Sequence, residues 1–285
     1  MGQDAWPFPV VVIDNGSVDA EGERLATEFG SPVTAVTLPR NRGVPGGYNA
    51  AMGWASANGY DSILLLNNDT VASDAHLVAS LLDLAGPRVA AVGPLLVRAN
   101  GSIASAGGRI NWLTGRAGHF RRPLEAVPYT VDWVEGSCVL ISIACAREIG
   151  GLDVEFEAYW EDADWCVRAG RAGYQCLVDP RVRIAHMQGG TIATAARDAY
   201  TLRNAIRFMR RNGSRRQNLS TLVLFISGRA PALLLRRLRQ PGLLVPAARA
   251  IVDALAWNVR DAAARRGWRL PSSGPSLADP GEEAP

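Results

Sequence analysis

An α/β fold built on a mostly parallel sheet with flanking helices is what this sequence predicts, and three observations predict it. Short uncharged runs rich in Val, Ile and Leu recur, among them "VVVI", "VTAV", "SILLL" and "VAAVGPLLV". Stretches with helical spacing separate them. Glycine, asparagine or aspartate punctuates most of the junctions. An apolar run without alternation suits a strand covered on both faces, and alternation of strand with helix suits right-handed βαβ crossovers. A 285-residue chain with 48% hydrophobic and 20% charged residues can bury one large core and still carry an appendage.

Taken in order, "PFPVVVIDNGSVD" reads as a buried strand stopped by an Asn-Gly turn, and "AEGERLATEFG" as a helix ended by glycine. "PVTAVTLP" is a second strand, "GGYNAAMGWASANG" a glycine-bounded helix, and "DSILLLNND" a third strand. "VAAVGPLLV" follows as another strand, and residues 100–129 lose periodicity, as hairpins and loops do. "VDWVEGSCVLISIACAREIGG" returns to strand then helix, and "EDADWCVRAGRAGY" forms a helix that feeds the strand "QCLVDP". Residues 1–202 therefore read as one domain, residues 203–269 as a basic amphipathic helical region, and the Pro/Ser/Gly-rich acidic stretch 270–285 as a disordered tail.

Charge divides the chain along the same line. Residues 1–202 hold 15 arginines against 22 acids, whereas residues 203–269 hold 15 arginines against 2 acids, a net charge of +13. Those arginines alternate with long aliphatic runs instead of stacking aromatics, which argues against nucleic acid and for an anionic membrane surface. The sequence has no signal-peptide pattern and no run of 18 uncharged apolar residues, so the expected location is the cytoplasm, peripheral on the inner face of the membrane. Cys138, Cys145, Cys166 and Cys176 lack any metal-ligand spacing and read as reduced packing residues.

Three polar clusters fall where strands end or helices begin: Asp14-Asn15-Gly16-Ser17, Asn67-Asn68-Asp69, and Glu161-Asp162-Ala163-Asp164. Each alone has an ordinary explanation, as a turn, a helix cap, or acids favoured by a helix dipole. Together with His186 after a strand they gather acceptor-rich groups at one rim of a sheet, where α/β proteins bind ligands. The "NRGVPGGYN" loop between the first two clusters lets backbone approach a ligand, and glycines near a helix N-terminus offer amides to phosphate. A carboxylate at a strand tip can hold the hard divalent cation that neutralises a diphosphate.

In that order, "VVVIDNGSVD", "NRGVPGGYNAAM", "LLLNNDT", "GGLDVEFEAYWEDADWCVRAGRAGY" and "HMQGG" resemble the family-2 glycosyltransferases, over roughly residues 9–212. The "YTLRNAIRFMRRN" helix is similar to that of the rhamnosyl- and galactofuranosyl-transferase branch. The resemblance implies the GT-A nucleotide-diphospho-sugar transferase fold, and an inverting transfer of sugar from a nucleotide-sugar donor to a saccharide or lipid-linked acceptor. By position, Asp14 resembles the acid that contacts the donor base. Asn15, Ser17, Asn41, Gly43, Gly46, Asn49 and Asn68 fall in the donor and nucleotide motifs. Asp69 matches the last acid of the family's DxD-type metal motif, and His186 a further ligand for Mg²⁺ or Mn²⁺. Asp162 resembles the catalytic base, with Glu161 and Trp160 toward the acceptor. Inversion needs one base on the face opposite the leaving diphosphate, which suits these roles.

Family members usually open with one more strand before the "DNGS" turn, and the expectation is a first strand encoded upstream of Met1. The alternatives are a nucleotidyltransferase, which also places acids at strand tips but needs no base of the "WEDAD" type, and a non-catalytic nucleotide- or carbohydrate-binding remnant of the fold. "GVPGGYN" lacks the Gly-Lys-Ser/Thr element of a P-loop.

Overall fold

The computed structural model describes residues 8–19, 21–187 and 193–264. The expected acidic tail at 270–285, and residues 188–190 of the His186 motif, lie outside the described residues. The chain forms two compact units, one holding residues up to Arg109 and again from His119 to the end of the sheet, the other holding Ile110–Gly118 and the helices that follow residue 189.

In the first unit, β1 (Val10–Asp14) stops where Gly16 turns the chain at φ 79°. Helix α1 (Glu21–Phe29) leads to β2 (Val33–Thr37), which pairs with β1 in parallel from Val10↔Val33 to Asp14↔Thr37. Next come α2 (Gly43–Ala57), β3 (Ser62–Leu66), β4 (Thr70–Val71), α3 (Leu77–Leu82) and β5 (Val89–Val97). The weakly periodic region supplies the short strands β6 (Ile103–Ser105), β7 (Gly108–Asn111), β8 (Arg116–His119) and β9 (Tyr129–Val131), of which the stretch Ile110–Gly118 belongs to the second unit. Then follow β10 (Cys138–Ser142), α4 (Ile143–Ile149), α5 (Glu161–Arg171) and β11 (Gln175–His186).

The main sheet runs β3-β10-β5-β11-β4, with β6 on β5 and β9 on β11. Within it only β5 and β11 pair in parallel; the other pairs are antiparallel. The expected mostly parallel arrangement is therefore corrected to a mixed sheet. β10 arrives from the hairpin region without a crossover helix and enters antiparallel between β3 and β5, as a loop-connected strand does. Among the described residues β1 pairs only with β2 and β3 only with β10, while α2 packs against both β1 and β3.

Leu77 and Leu81 of α3 pack with Val92, Leu96, Leu140 and Ile184 of the sheet in one buried cluster. Each such side chain contributes about 1.5–3 kcal/mol by leaving water. β11 carries a bulge between Asp179 and Arg183, at a proline that cannot donate to the ladder. Buried Asp179 holds that bulge, accepting from Ser80 Oγ at 2.8 Å and Arg181 Nε at 2.8 Å. The strand then resumes and pairs His186 with Thr70 of β4, one residue from Asp69.

Besides Ile110–Gly118, the second unit holds α6 (Thr194–Asn212), α7 (Arg215–Leu224), a π-helical turn at Phe225–Arg229, α8 (Ala230–Arg237) and α9 (Pro241–Ala264). Ser214 and Gln217 form a capping box that starts α7. Leu202, Ile206, Phe225, Leu233, Ala247 and Ala254 make its core. Its buried charges are matched: Arg237 meets Asp198 at 2.8 Å, and Arg207 and Arg210 each meet Asp261 at 3.2 Å. Outward, Leu219, Val223, Ile226, Leu235, Leu238, Val245, Val252 and Val259 are exposed. Two segments, Arg215–Arg237 and Gly242–Asp261, are long and apolar enough to cross a membrane by length and composition.

Candidate active site

Two poles of polar side chains occupy the rim of the first unit. At one, the bulged end of β11 brings His186 Nε2 to 3.2 Å from Asp69 Oδ2, so residues 117 apart in sequence become neighbours. The other ring nitrogen, Nδ1, lies 3.6 Å from Glu135 Oε1. The Glu135 carboxylate, and then the charge of Asp69, raise His186 above the usual imidazole range against the opposing effect of burial. Asp69 Oδ1 is buried without a hydrogen-bond partner. A carboxylate oxygen left without a donor beside an imidazole nitrogen is a donor set that fits a divalent cation. Among the described residues no three His, Cys, Asp or Glu side chains converge on one point, so Asp69 and His186 would leave most of the coordination sphere to a ligand's oxygens.

At the second pole α5 begins under strain. Glu157, Tyr159 and Trp160 adopt φ of 59°, 66° and 78°, a left-handed region that costs side-chain-bearing residues about 1 kcal/mol or more each. Val44 N donates to Glu157 O at 2.8 Å, and a Cβ on Gly43 would sit 2.6 Å from that oxygen, so the start of α2 holds the strained segment. Trp160 is the N-cap of α5 and gives its first turn no side-chain acceptor. Asp162 supplies one instead, accepting from Ala163 N at 2.7 Å through Oδ1 and from Gly136 N at 3.1 Å through Oδ2. Asp164, on the far side of the helix, is fully buried and accepts from Arg168 Nε at 2.9 Å, in keeping with the opposite directions of residues two apart.

Burial pushes Glu161 up to about 8, and the Asp162 charge beside it adds to the shift. Burial likewise pushes Asp162 up to about 6, moderated by the Gly136 and Ala163 amides. Two adjacent carboxyls whose environments part their proton affinities can divide labour, one accepting a proton and one donating a hydrogen bond. Trp160 is partly exposed next to them.

The donor-motif residues fall around the starts of α1 and α2. Asp14 is buried and accepts from Ser17 N at 2.7 Å and Gly22 N at 3.1 Å; those amides hold its carboxyl below the usual range. Ser17 is exposed. Asn15 staples the turn to the next loop, accepting from Arg42 N at 2.9 Å and donating to Gly43 O at 2.8 Å, while Asn41 Oδ1 accepts from Gly43 N at 2.8 Å. Gly46 is required by packing, since a Cβ there would lie 2.3 Å from Arg42 Cβ. The Asn49 amide is engaged with the backbone of Leu152, at 2.8 Å in both directions. Asn68 is exposed at the rim. The structure thus brings Asp69 to His186, and Asn15 to Asn41 and Gly43, while Asp14 and Asn49 spend their polar atoms on backbone.

Sequence reasoning missed Tyr48, His119 and the Glu135–Gly136 step. Tyr48 Oη lies 2.6 Å from both Asn67 Oδ1 and Gly136 O, and burial lifts its phenol well above its ordinary range. Gly136 thus lies between Asp162, which accepts from its amide, and Tyr48, which faces its carbonyl and also Asn67, two residues before Asp69. A Cβ there would come within 3.1 Å of the Tyr48 ring. An acid interrupting the apolar "VDWVEGSCVLI" was the one signal available for Glu135.

Residues 3–141 match the family model described as Glycosyl transferase family 2. Over 214 residues the chain is 27% identical to N-acetylglucosaminyl-diphospho-decaprenol L-rhamnosyltransferase of Mycobacterium tuberculosis, covering 63% of this chain and 66% of that relative. The chain thus spans just under two thirds of that relative's length. Among solved structures it is similar to the mannosyltransferase PcManGT from Pyrobaculum calidifontis in complex with GDP-Man and Mn²⁺, with a TM-score of 0.53 and 17% identity over 93% of this chain and 73% of the other. It is also similar to residues 1–349 of S. aureus TarS, with a TM-score of 0.52 and 14% identity over 89% of this chain and 74% of the other. These likenesses show the fold: GT-A, a mixed sheet flanked by helices.

Proposed function

We propose, on the match of residues 3–141 to the Glycosyl transferase family 2 model and the likeness in fold to GT-A structures, that this chain transfers a sugar from a nucleotide-sugar donor to a saccharide or lipid-linked acceptor with inversion. The single observation that carries the reading is the pairing of poles: Asp69 with His186 at one and Asp162 at the other, with Glu135 beside His186 and its neighbour Gly136 bonded to Asp162. The acceptor hydroxyl oxygen bonds to the anomeric carbon as the bond from that carbon to the diphosphate oxygen breaks. The hydroxyl proton passes to the Asp162 carboxylate, and the bonding electrons leave with the diphosphate. Burial raises the Asp162 carboxyl, which makes it a stronger base than an exposed aspartate. Burial and the Asp162 charge raise Glu161 as well, which favours the protonated form that can donate to an acceptor oxygen.

Asp69 and His186 would hold Mg²⁺ or Mn²⁺, which supplies charge stabilisation for the departing diphosphate. The M. tuberculosis relative supports a finer reading, a deoxyhexosyl donor and an acceptor on a polyprenyl diphosphate. The helical unit supports a membrane-surface location for such an acceptor, since its exposed leucines and valines accompany 15 arginines against 2 acids in residues 203–269.

Incubation with a panel of nucleotide sugars and Mn²⁺ tests the reaction. The expected outcome is cation-dependent release of nucleoside diphosphate together with glycosylation of a lipid-linked saccharide. Release of pyrophosphate would instead mark a nucleotidyltransferase, and donor binding with no release a non-catalytic remnant. Flotation on vesicles tests the location: recovery on anionic but not neutral lipid, falling with salt, is expected.

A further inference from the structure

His186 stands between two carboxylates: Asp69 Oδ2 is 3.2 Å from Nε2, and Glu135 Oε1 is 3.6 Å from Nδ1, a buried nitrogen with no partner at hydrogen-bond distance among the described residues. Glu135 is itself held from several sides. Its Oε2 lies 3.3 Å from His119 Nδ1, and Ser137 Oγ donates to Oε1 at 3.4 Å. His119 is fixed in turn by Ser105 Oγ at 2.9 Å and by the edge of Trp133, ring centroids 4.7 Å apart. A chain of contacts thus runs from the hairpin region through Glu135 to the side chain that faces Asp69.

A neutral imidazole carries one hydrogen, and only the bare nitrogen can bind a cation. We infer that Glu135 is a positioning residue: it takes the Nδ1 hydrogen of His186, which fixes the ring and turns a bare Nε2 toward Asp69 and the cation proposed there. The inference rests on the metal reading of Asp69 and His186. Ligating histidines commonly hand their second N–H to a carboxylate in this way, and loss of that partner commonly costs about 10- to 100-fold in metal affinity. The arrangement explains why an acid sits at position 135, three residues before β10. It also separates the two poles chemically. Glu135 acts on His186 through its side chain, while its neighbour Gly136 holds Asp162 through backbone.

Two measurements on the full chain decide it. Long-range proton–nitrogen spectra of the metal-free wild type, taken at alkaline pH where the ring is neutral, should show His186 protonated on Nδ1; protonation on Nε2 overturns the inference without any variant. Mn²⁺ binding, followed by the electron paramagnetic resonance of the free ion with UDP or GDP present, should weaken about 10- to 100-fold in Glu135→Ala. Glu135→Gln, whose amide oxygen still accepts the hydrogen, should stay within a few-fold of wild type. Equal Mn²⁺ affinity in wild type and Glu135→Ala, or equal loss in both variants, overturns the positioning role. A wild type that binds no Mn²⁺ with either nucleotide overturns the metal reading, and the inference with it.

Discussion

In the first unit Glu161 and Asp162 stand side by side at the start of α5, both lifted by burial, with Glu135 close enough to lift Asp162 further. In the helical unit the buried charges are met by opposite ones, Arg237 by Asp198 and Arg207 by Asp261, and what faces outward is a set of exposed leucines and valines. The first unit keeps two adjacent carboxyls buried, where ionising both is disfavoured. The second pairs its buried charges and leaves apolar side chains exposed. Where each unit departs from the most stable arrangement indicates what it is for.

The comparison breaks most visibly if the acids of α5 turn out to be mere helix ornaments. Asp162→Asn keeps the shape but cannot take a proton, so turnover should fall about 10²-fold or more, while calorimetry with nucleoside diphosphate shows unchanged affinity. If Asp164→Asn were the dead variant and Asp162→Asn the active one, the base would be misassigned. The counterpart in the helical unit is Asp198→Ala. Leaving Arg237 buried without its acid should lower unfolding free energy by about 3 kcal/mol in urea titration. A loss near zero would mean that the pair is not buried in solution.

A subtler effect is the pH dependence of stability. Glu161 and Asp162 bind protons more tightly folded than unfolded, so their contribution is fully present below the unfolded carboxylate range near 4 and is lost as pH rises through about 6 and about 8. Denaturation at pH 5 and at pH 9 should show this fall, and Glu161→Gln should flatten it. An unchanged profile in that variant would place the titrating group elsewhere. The smallest effect belongs to the exposed stripe at Val245, Val252 and Val259, seven residues apart along α9. Val252→Asp should leave the melting temperature unchanged and weaken recovery on anionic vesicles by about 1.5 kcal/mol, roughly tenfold. Full recovery would mean that α9 presents another face to lipid.

Much of the architecture was legible because apolar runs and glycine stops are local signals. β1, β2, β5 and α5 fall where their segments predict, and β5 matches "VAAVGPLLV" to the residue. Strand direction was not legible. "CVLIS" is equally apolar read either way, and its antiparallel entry depends on the hairpins before it. Of the candidate site, Asp69, His186 and Asp162 could be singled out because each sits at the end of a patterned element. Glu135, Tyr48 and His119 could not, because their partners lie far off in sequence: Tyr48 meets Gly136 across 88 residues. The bond of Asn49 to Leu152 was hidden for the same reason, since it spans 103 residues.

The three left-handed residues before α5 also bear on how the protein would respond to engineering. Glycine at 157, 159 or 160 would relax about 1 kcal/mol of backbone strain at each position. Heat-tolerance selection run without a turnover screen would therefore accept such changes readily. Each would also loosen the entry to the helix that carries Asp162, so the easiest route to a hardier protein leads through a slower one.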